Sequence, residues 1–201
     1  VRASRAGAAL LLAAALAGCG TSGGGTGGSG ADSGGAAAAP PSAAVPDTTT
    51  PCPEQPAEPA SGSEVLADLS FDCLAGGELD LGRAQGLPTV VNLWASWCGP
   101  CREELPIVQQ LADAGGDRLR VLGLVSQDPA ENGRSFAADA GITMPTAVDE
   151  RGDLAIEQGL RGLPYTYFLR ADGSVAHLQL RPVRSYEELR DLVAEHLGVQ
   201  L

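Results

Sequence analysis

From about residue 61 onward the apolar positions fall into two alternating registers, which predict short strands interleaved with helices. Residues 65–71 and 78–81 alternate around Ala75-Gly76-Gly77 and predict a leading β-hairpin. Thr89-Val90-Val91-Asn92-Leu93-Trp94 is nearly continuous in apolar character, as expected of a central strand covered on both faces. Residues 101–114 carry Leu105, Val108 and Leu111 at helical spacing, end at Gly115-Gly116, and contain Pro106, which should kink the helix. A second buried strand is expected over 120–126, a helix over 129–140 stopped by Gly141, and a shorter helix over 153–159. Residues 165–170 and 175–180 flank Asp172-Gly173 and predict a hairpin. Ser185 and Glu188 form a capping box for a last helix running to about Leu197. Strand and helix alternate, so the class is α/β with an at least partly parallel sheet.

The first 60 residues read differently. Arg2 and Arg5 precede an apolar run over 8–17 that covers only about half of a roughly 30 Å hydrocarbon core, so residues 1–18 predict a signal peptide rather than a span. Leu16-Ala17-Gly18-Cys19 resembles a bacterial lipobox, and that resemblance makes Cys19 a lipid-attachment site at the mature terminus. Residues 19–60 are rich in Gly, Ser, Ala and Pro, which predicts a disordered tether with an r.m.s. reach of roughly 35 Å. The folded domain is then expected over 61–201.

Composition narrows the function. Thirteen basic residues, all Arg, against 25 acidic ones give a formal net charge of −12, which argues against a nucleic-acid partner. Five cysteines are an odd number for a secreted chain, and assigning Cys19 to lipid leaves four. Cys98 and Cys101 form one close pair. Cys52 and Cys73 form a wider one, read as a structural disulfide stapling the leading segment, with a second redox relay as the alternative. A Cys₄ zinc site normally wants two tight knuckles and only one exists, so no metal is expected. His177 and His196 have no paired ligands nearby in sequence and read as scaffold.

A Cys-x-x-Cys placed where a strand gives way to a helix favours a thiolate on the first sulfur, because helix N-terminal N–H groups and the macrodipole stabilise negative charge. The second sulfur, about one turn inward, can attack a mixed disulfide. Through Trp94-Ala95-Ser96-Trp97-Cys98-Gly99-Pro100-Cys101 the chain resembles the thioredoxin superfamily over about 130 residues. Arg102-Glu103-Glu104-Leu105-Pro106 and Gly162-Leu163-Pro164-Tyr165-Thr166 narrow the resemblance to extracytoplasmic TlpA/ResA-like thiol-disulfide oxidoreductases. It implies a thioredoxin-like fold, with a mixed central sheet flanked by helices, an added N-terminal β-hairpin and an insertion around 127–150. It also implies Cys98 as nucleophile, Cys101 as resolving thiol and Glu104 as a proton-handling acid, with a solvated helix carboxylate as the alternative for Glu104. Pro164 would be a cis-proline beside the pair, and Trp97, Gly99, Pro100 and Leu163 would line the substrate surface, with Trp94 in the core. The expected cofactor is none beyond the Cys98–Cys101 disulfide, and the expected partners are protein disulfides and a membrane thiol donor that recycles the site. Asn92 stands where thioredoxin carries a buried Asp, and an amide cannot act as a general base, so the proton role shifts to Glu104.

Gly-Pro between the cysteines matches thioredoxin, whose potential is about −270 mV against about −120 mV for strong oxidants, so a reductase is expected, and the resemblance implies clients among envelope proteins, apocytochrome c included. The alternatives are a disulfide-forming oxidase or isomerase on the same fold, a redoxin-type thiol peroxidase, and a non-catalytic module braced by Cys98–Cys101.

Overall fold

The computed structural model describes residues 45–66 and 68–201. The signal segment, Cys19 and the front of the tether lie outside the described residues.

Five strands form one sheet in the order β5-β4-β3-β6-β7. β3 (Thr89–Trp94), β4 (Arg120–Ser126) and β5 (Thr146–Asp149) run parallel, whereas β6 (Tyr165–Leu169) is antiparallel to β3 and β7 (Val175–Gln179) is antiparallel to β6. Every residue of β3 is buried, which explains its unbroken apolar run. The period-two alternation sorts side chains between two cores. Val90, Trp94, Val121, Val125 and Phe168 face α1 (Gly99–Gly115), α2 (Ala130–Asp139) and α4 (Tyr186–Leu197). Val91, Leu93, Leu122, Leu124, Tyr165 and Tyr167 face Phe71, Leu79 and Leu81 of the β1 (Ser70–Asp72) and β2 (Glu78–Asp80) region, together with Leu154 of α3 (Asp153–Glu157). Trp94 is fully buried, and its indole lies so close over Gly123 that a Cβ there would stand 2.8 Å from Nε1. The expected thioredoxin-like arrangement is therefore present, with the hairpin in front.

Several expectations change in detail. The hairpin strands are short, and Val65 bridges to Ser174 instead of continuing β1. The insertion holds an unforeseen strand, β5, which forms the sheet edge beyond β4. α1 begins two residues earlier than expected and runs through Pro106 to Gly115. His177 and His196 stack ring on ring, with centroids 3.9 Å apart, beside Phe168.

The largest difference is the boundary at residue 61. Residues 48–64 are a strap laid across the end of the sheet where β3 begins. Thr50 N donates to Thr143 O (3.0 Å), Cys52 N to Gly76 O (2.9 Å), Ala60 N to Gly82 O (2.8 Å) and Ser61 N to Asp172 O (2.9 Å). The Gln55 amide pairs with both backbone groups of Asp80, at 2.9 and 2.8 Å. Cys52 and Cys73 are joined as a disulfide, Cα–Cα 6.0 Å, in the second core. A strap of this kind satisfies its backbone groups one by one on loops, so no periodic pattern marks it.

Candidate active site

β3 ends at Trp94, and the chain turns so that Cys98 N donates to Ala95 O (3.1 Å). Cys98 is then the N-cap of α1, and its Sγ accepts from Cys101 N at 3.2 Å. Pro100 sits in the first helical turn, where a missing N–H is no loss. Cys98 and Cys101 are joined, Cα–Cα 5.3 Å, with Cys98 4% and Cys101 1% exposed. On reduction, the Cys101 N–H that points at Cys98 Sγ and the positive end of the α1 dipole would both favour a thiolate on that sulfur.

Around this pair the surface is open. Trp97 is 59% exposed and donates from Nε1 to Gln127 O (3.1 Å), and Gly99 and Pro100 are exposed. The Leu163–Pro164 peptide is cis, Leu163 is half-buried and Pro164 is buried. Because Tyr165 pairs with Leu93, Pro164 lies at the end of the sheet from which the Cys98 loop departs. Tyr165, whose hydroxyl no local pattern marks as functional, pins this loop. Its hydroxyl accepts from Arg161 N (3.0 Å) and donates to Arg161 O. Cys52–Cys73 belongs to the opposite core and is not part of this constellation.

Glu104 shares the buried stripe of α1 with Cys101, Leu105 and Val108, and is 1% exposed. Its Oε1 accepts from Val183 N (3.3 Å) and, at 3.5 Å, from Thr166 Oγ1, which in turn accepts from Asn92 Nδ2 (3.0 Å). Oε2 has no partner. Burial pushes the carboxyl up to about 7, against the pull of these donors toward ionisation. Such a group can take or release a proton near neutral pH. Among the described residues, no cluster of His, Cys, Asp or Glu has the arrangement to hold a metal ion.

Residues 42–194 match the family described as Redoxin. The chain belongs to the Redoxin family. That match begins close to the strap, in keeping with a packed unit that starts upstream of residue 61. The chain is 32% identical over 127 residues to the thiol:disulfide interchange protein CycY of Rhizobium leguminosarum bv. viciae, covering 63% of this chain and 62% of that protein. It is 30% identical over 130 residues to the thioredoxin-like protein YneN of Bacillus subtilis, covering 62% and 76%. Among solved structures, a secreted disulfide oxidoreductase of Mycobacterium tuberculosis homologous to E. coli DsbE superposes with a TM-score of 0.55 at 25% identity. That superposition covers 64% of this chain and 96% of the other. This chain therefore spans between about three fifths and three quarters of the two curated relatives.

Proposed function

We propose that this Redoxin-family chain is an extracytoplasmic thiol-disulfide oxidoreductase that reduces disulfides in envelope or secreted proteins, apocytochrome c being one candidate client. The observation that carries the reading is a sulfur pair at the N-cap of a buried-strand-to-helix junction, with an acid of near-neutral pKa three residues beyond it. The Cys98 thiolate attacks one client sulfur, forming a Cys98–client disulfide and expelling the other client sulfur as a thiolate, which takes up a proton. Cys101 passes its proton to the Glu104 carboxylate and attacks Cys98. The Cys98–Cys101 bond forms, and the second client sulfur leaves and is protonated. The client gains two electrons and two protons, and the protein is oxidised. A dithiol donor at the membrane returns it to the reduced state.

Trp97, Gly99, Pro100, Leu163 and Pro164 form the surface that receives the client. Cys52–Cys73 acts as a staple. Residues 1–18 are a signal peptide, and lipid on Cys19 anchors the chain to the outer side of the cell membrane. The names of the relatives and the secreted origin of one of them support an extracytoplasmic thiol-exchange role.

The test uses insulin as a generic protein disulfide. Cys98→Ala should abolish turnover, and Cys101→Ser should accumulate a mixed disulfide through Cys98. Titration against glutathione should give a potential well below about −150 mV; a higher value makes the protein an oxidase or isomerase. Hydrogen-peroxide turnover that survives Cys101→Ser would make it a thiol peroxidase, and insulin turnover indifferent to Cys98→Ala would make the pair a structural brace.

A further inference from the structure

Asp128 is a buried carboxylate that the exchange chemistry does not use, 1% exposed and directly ahead of α2. Its Oδ2 accepts from Ser96 N at 2.7 Å, and its Oδ1 accepts from Asn132 Nδ2 at 3.0 Å. Its two partners are thus a peptide N–H and an amide rather than a guanidinium. A carboxylate is costly to bury without a cation. Part of that cost is offset by the N-terminus of α2, and two oxygens meeting two donors satisfy the rest of the geometry.

Ser96 lies two residues before Cys98, so this bond fixes the loop that sets the sulfur at the start of α1. The neighbour on the other side completes the device. Gln127 adopts φ +57°, its carbonyl receives the Trp97 indole, and its N–H donates to Asp149 O (3.0 Å). Asp149 also receives Asp153 N (2.7 Å) and Leu154 N (3.1 Å) on its carboxylate, and so starts α3, the helix that leads into the Leu163–Pro164 loop. Gly152, at φ +73°, packs so closely on the Gln127 side chain that any Cβ there would run into it.

We propose that the Gln127–Asp128 corner is a positioning device for thiol exchange, in which Asp128 sets the Cys98 loop and Gln127 ties that loop to the turn leading toward Pro164. Asp128 acts through Ser96 and touches no reacting atom, so it is a positioning residue. Misplacement on the order of 1 Å is enough to cost an exchange reaction about 100-fold. The inference rests on the reading of Cys98 as the attacking sulfur.

The experiment compares the reduced full chain with Asp128→Asn, Gly152→Ala and Gly173→Ala. Asn keeps the size of Asp but offers a single acceptor for two donors. Gly173, at φ +86°, lies in the β6–β7 turn at the far end of the sheet, where a Cβ would stand 2.6 Å from Arg83 O, so its variant is a control for strain alone. The readouts are the peptide first alkylated by iodoacetamide, the alkylation rate from about pH 5 to 9, kcat and KM for insulin, and Tm. Asp128→Asn and Gly152→Ala should each lower kcat/KM about ten-fold, mostly through kcat, and displace the pH profile of Cys98 alkylation. Gly173→Ala should lower Tm while leaving both within about two-fold.

Wild-type kinetics in Asp128→Asn, or equal losses in Gly173→Ala, overturn the proposal. If Gly152→Ala gives no cooperative melt, Asp128→Asn decides alone. First alkylation at Cys101 in the wild type would instead overturn the nucleophile assignment, an outcome separable from indifference to Asp128.

Discussion

Replacing Glu104 with Gln should make the oxidised protein more stable at alkaline pH and leave that advantage absent in acid. The carboxyl moves from an ordinary 4.5 to about 7 in the fold, chiefly because α1 turns it into the core. The native state therefore holds a proton that the unfolded chain releases between those two values, so wild-type stability falls as pH rises through that window. At 1.36 kcal/mol per unit, the loss is on the order of 3 kcal/mol, complete a little above pH 7. Gln keeps an acceptor for Val183 N–H and Thr166 Oγ1 but cannot ionise. The assay is urea unfolding of both oxidised proteins at steps between about pH 4 and 8, read as the difference in unfolding free energy, so that the other carboxyls cancel. The difference should grow in favour of Gln by about 3 kcal/mol toward pH 8. A flat difference across that range would refute the assignment of Glu104 as a buried acid that ionises near neutrality.

Thr166→Val removes a donor to Glu104 and should raise the carboxyl midpoint further, seen as a displaced carboxyl-carbon titration by NMR, with Thr166→Ser restoring it. Cys52→Ser with Cys73→Ser opens a loop of 21-residue separation and should cost about 3 kcal/mol in urea, while Cys98 stays reactive. Ser185 Oγ accepts from Glu188 N at 3.2 Å, so Ser185→Ala should cost about 1 kcal/mol, measured as a lowered Tm.

The central strands were legible because two-sided burial writes itself as an unbroken apolar run, and β3 and β4 fall where residues 89–94 and 120–126 indicate. β5 escaped because four residues behind Pro145 are too few to reveal a period. The strap escaped for a related reason, since Ala/Pro composition reads as tether when backbone pairing is made with distant loops. Glu104 was half legible. Its spacing from Cys101, Leu105 and Val108 puts it on the stripe that α1 buries, but the Val183 N–H that donates to it comes from 79 residues away. The capping box at Ser185 was legible in its hydroxyl arm, whereas the Glu188 carboxylate reaches Arg184 N, one residue before the cap. Asp128 reads locally as a turn residue before Pro129, and nothing nearby in sequence points to Ser96, its partner 32 positions upstream.

The strap also governs how the domain can be cut. A fragment beginning at residue 61 would lose Cys52 but keep Cys73, leaving three sulfurs in which one redox couple and one orphan compete for partners. Scrambled bridges and intermolecular dimers would then be traits of the fragment rather than of the protein. An isolated domain that preserves the native pairing must start upstream of Cys52, and one that starts upstream of Asp47 also keeps the contact of its carboxylate with Arg134 at 3.3 Å.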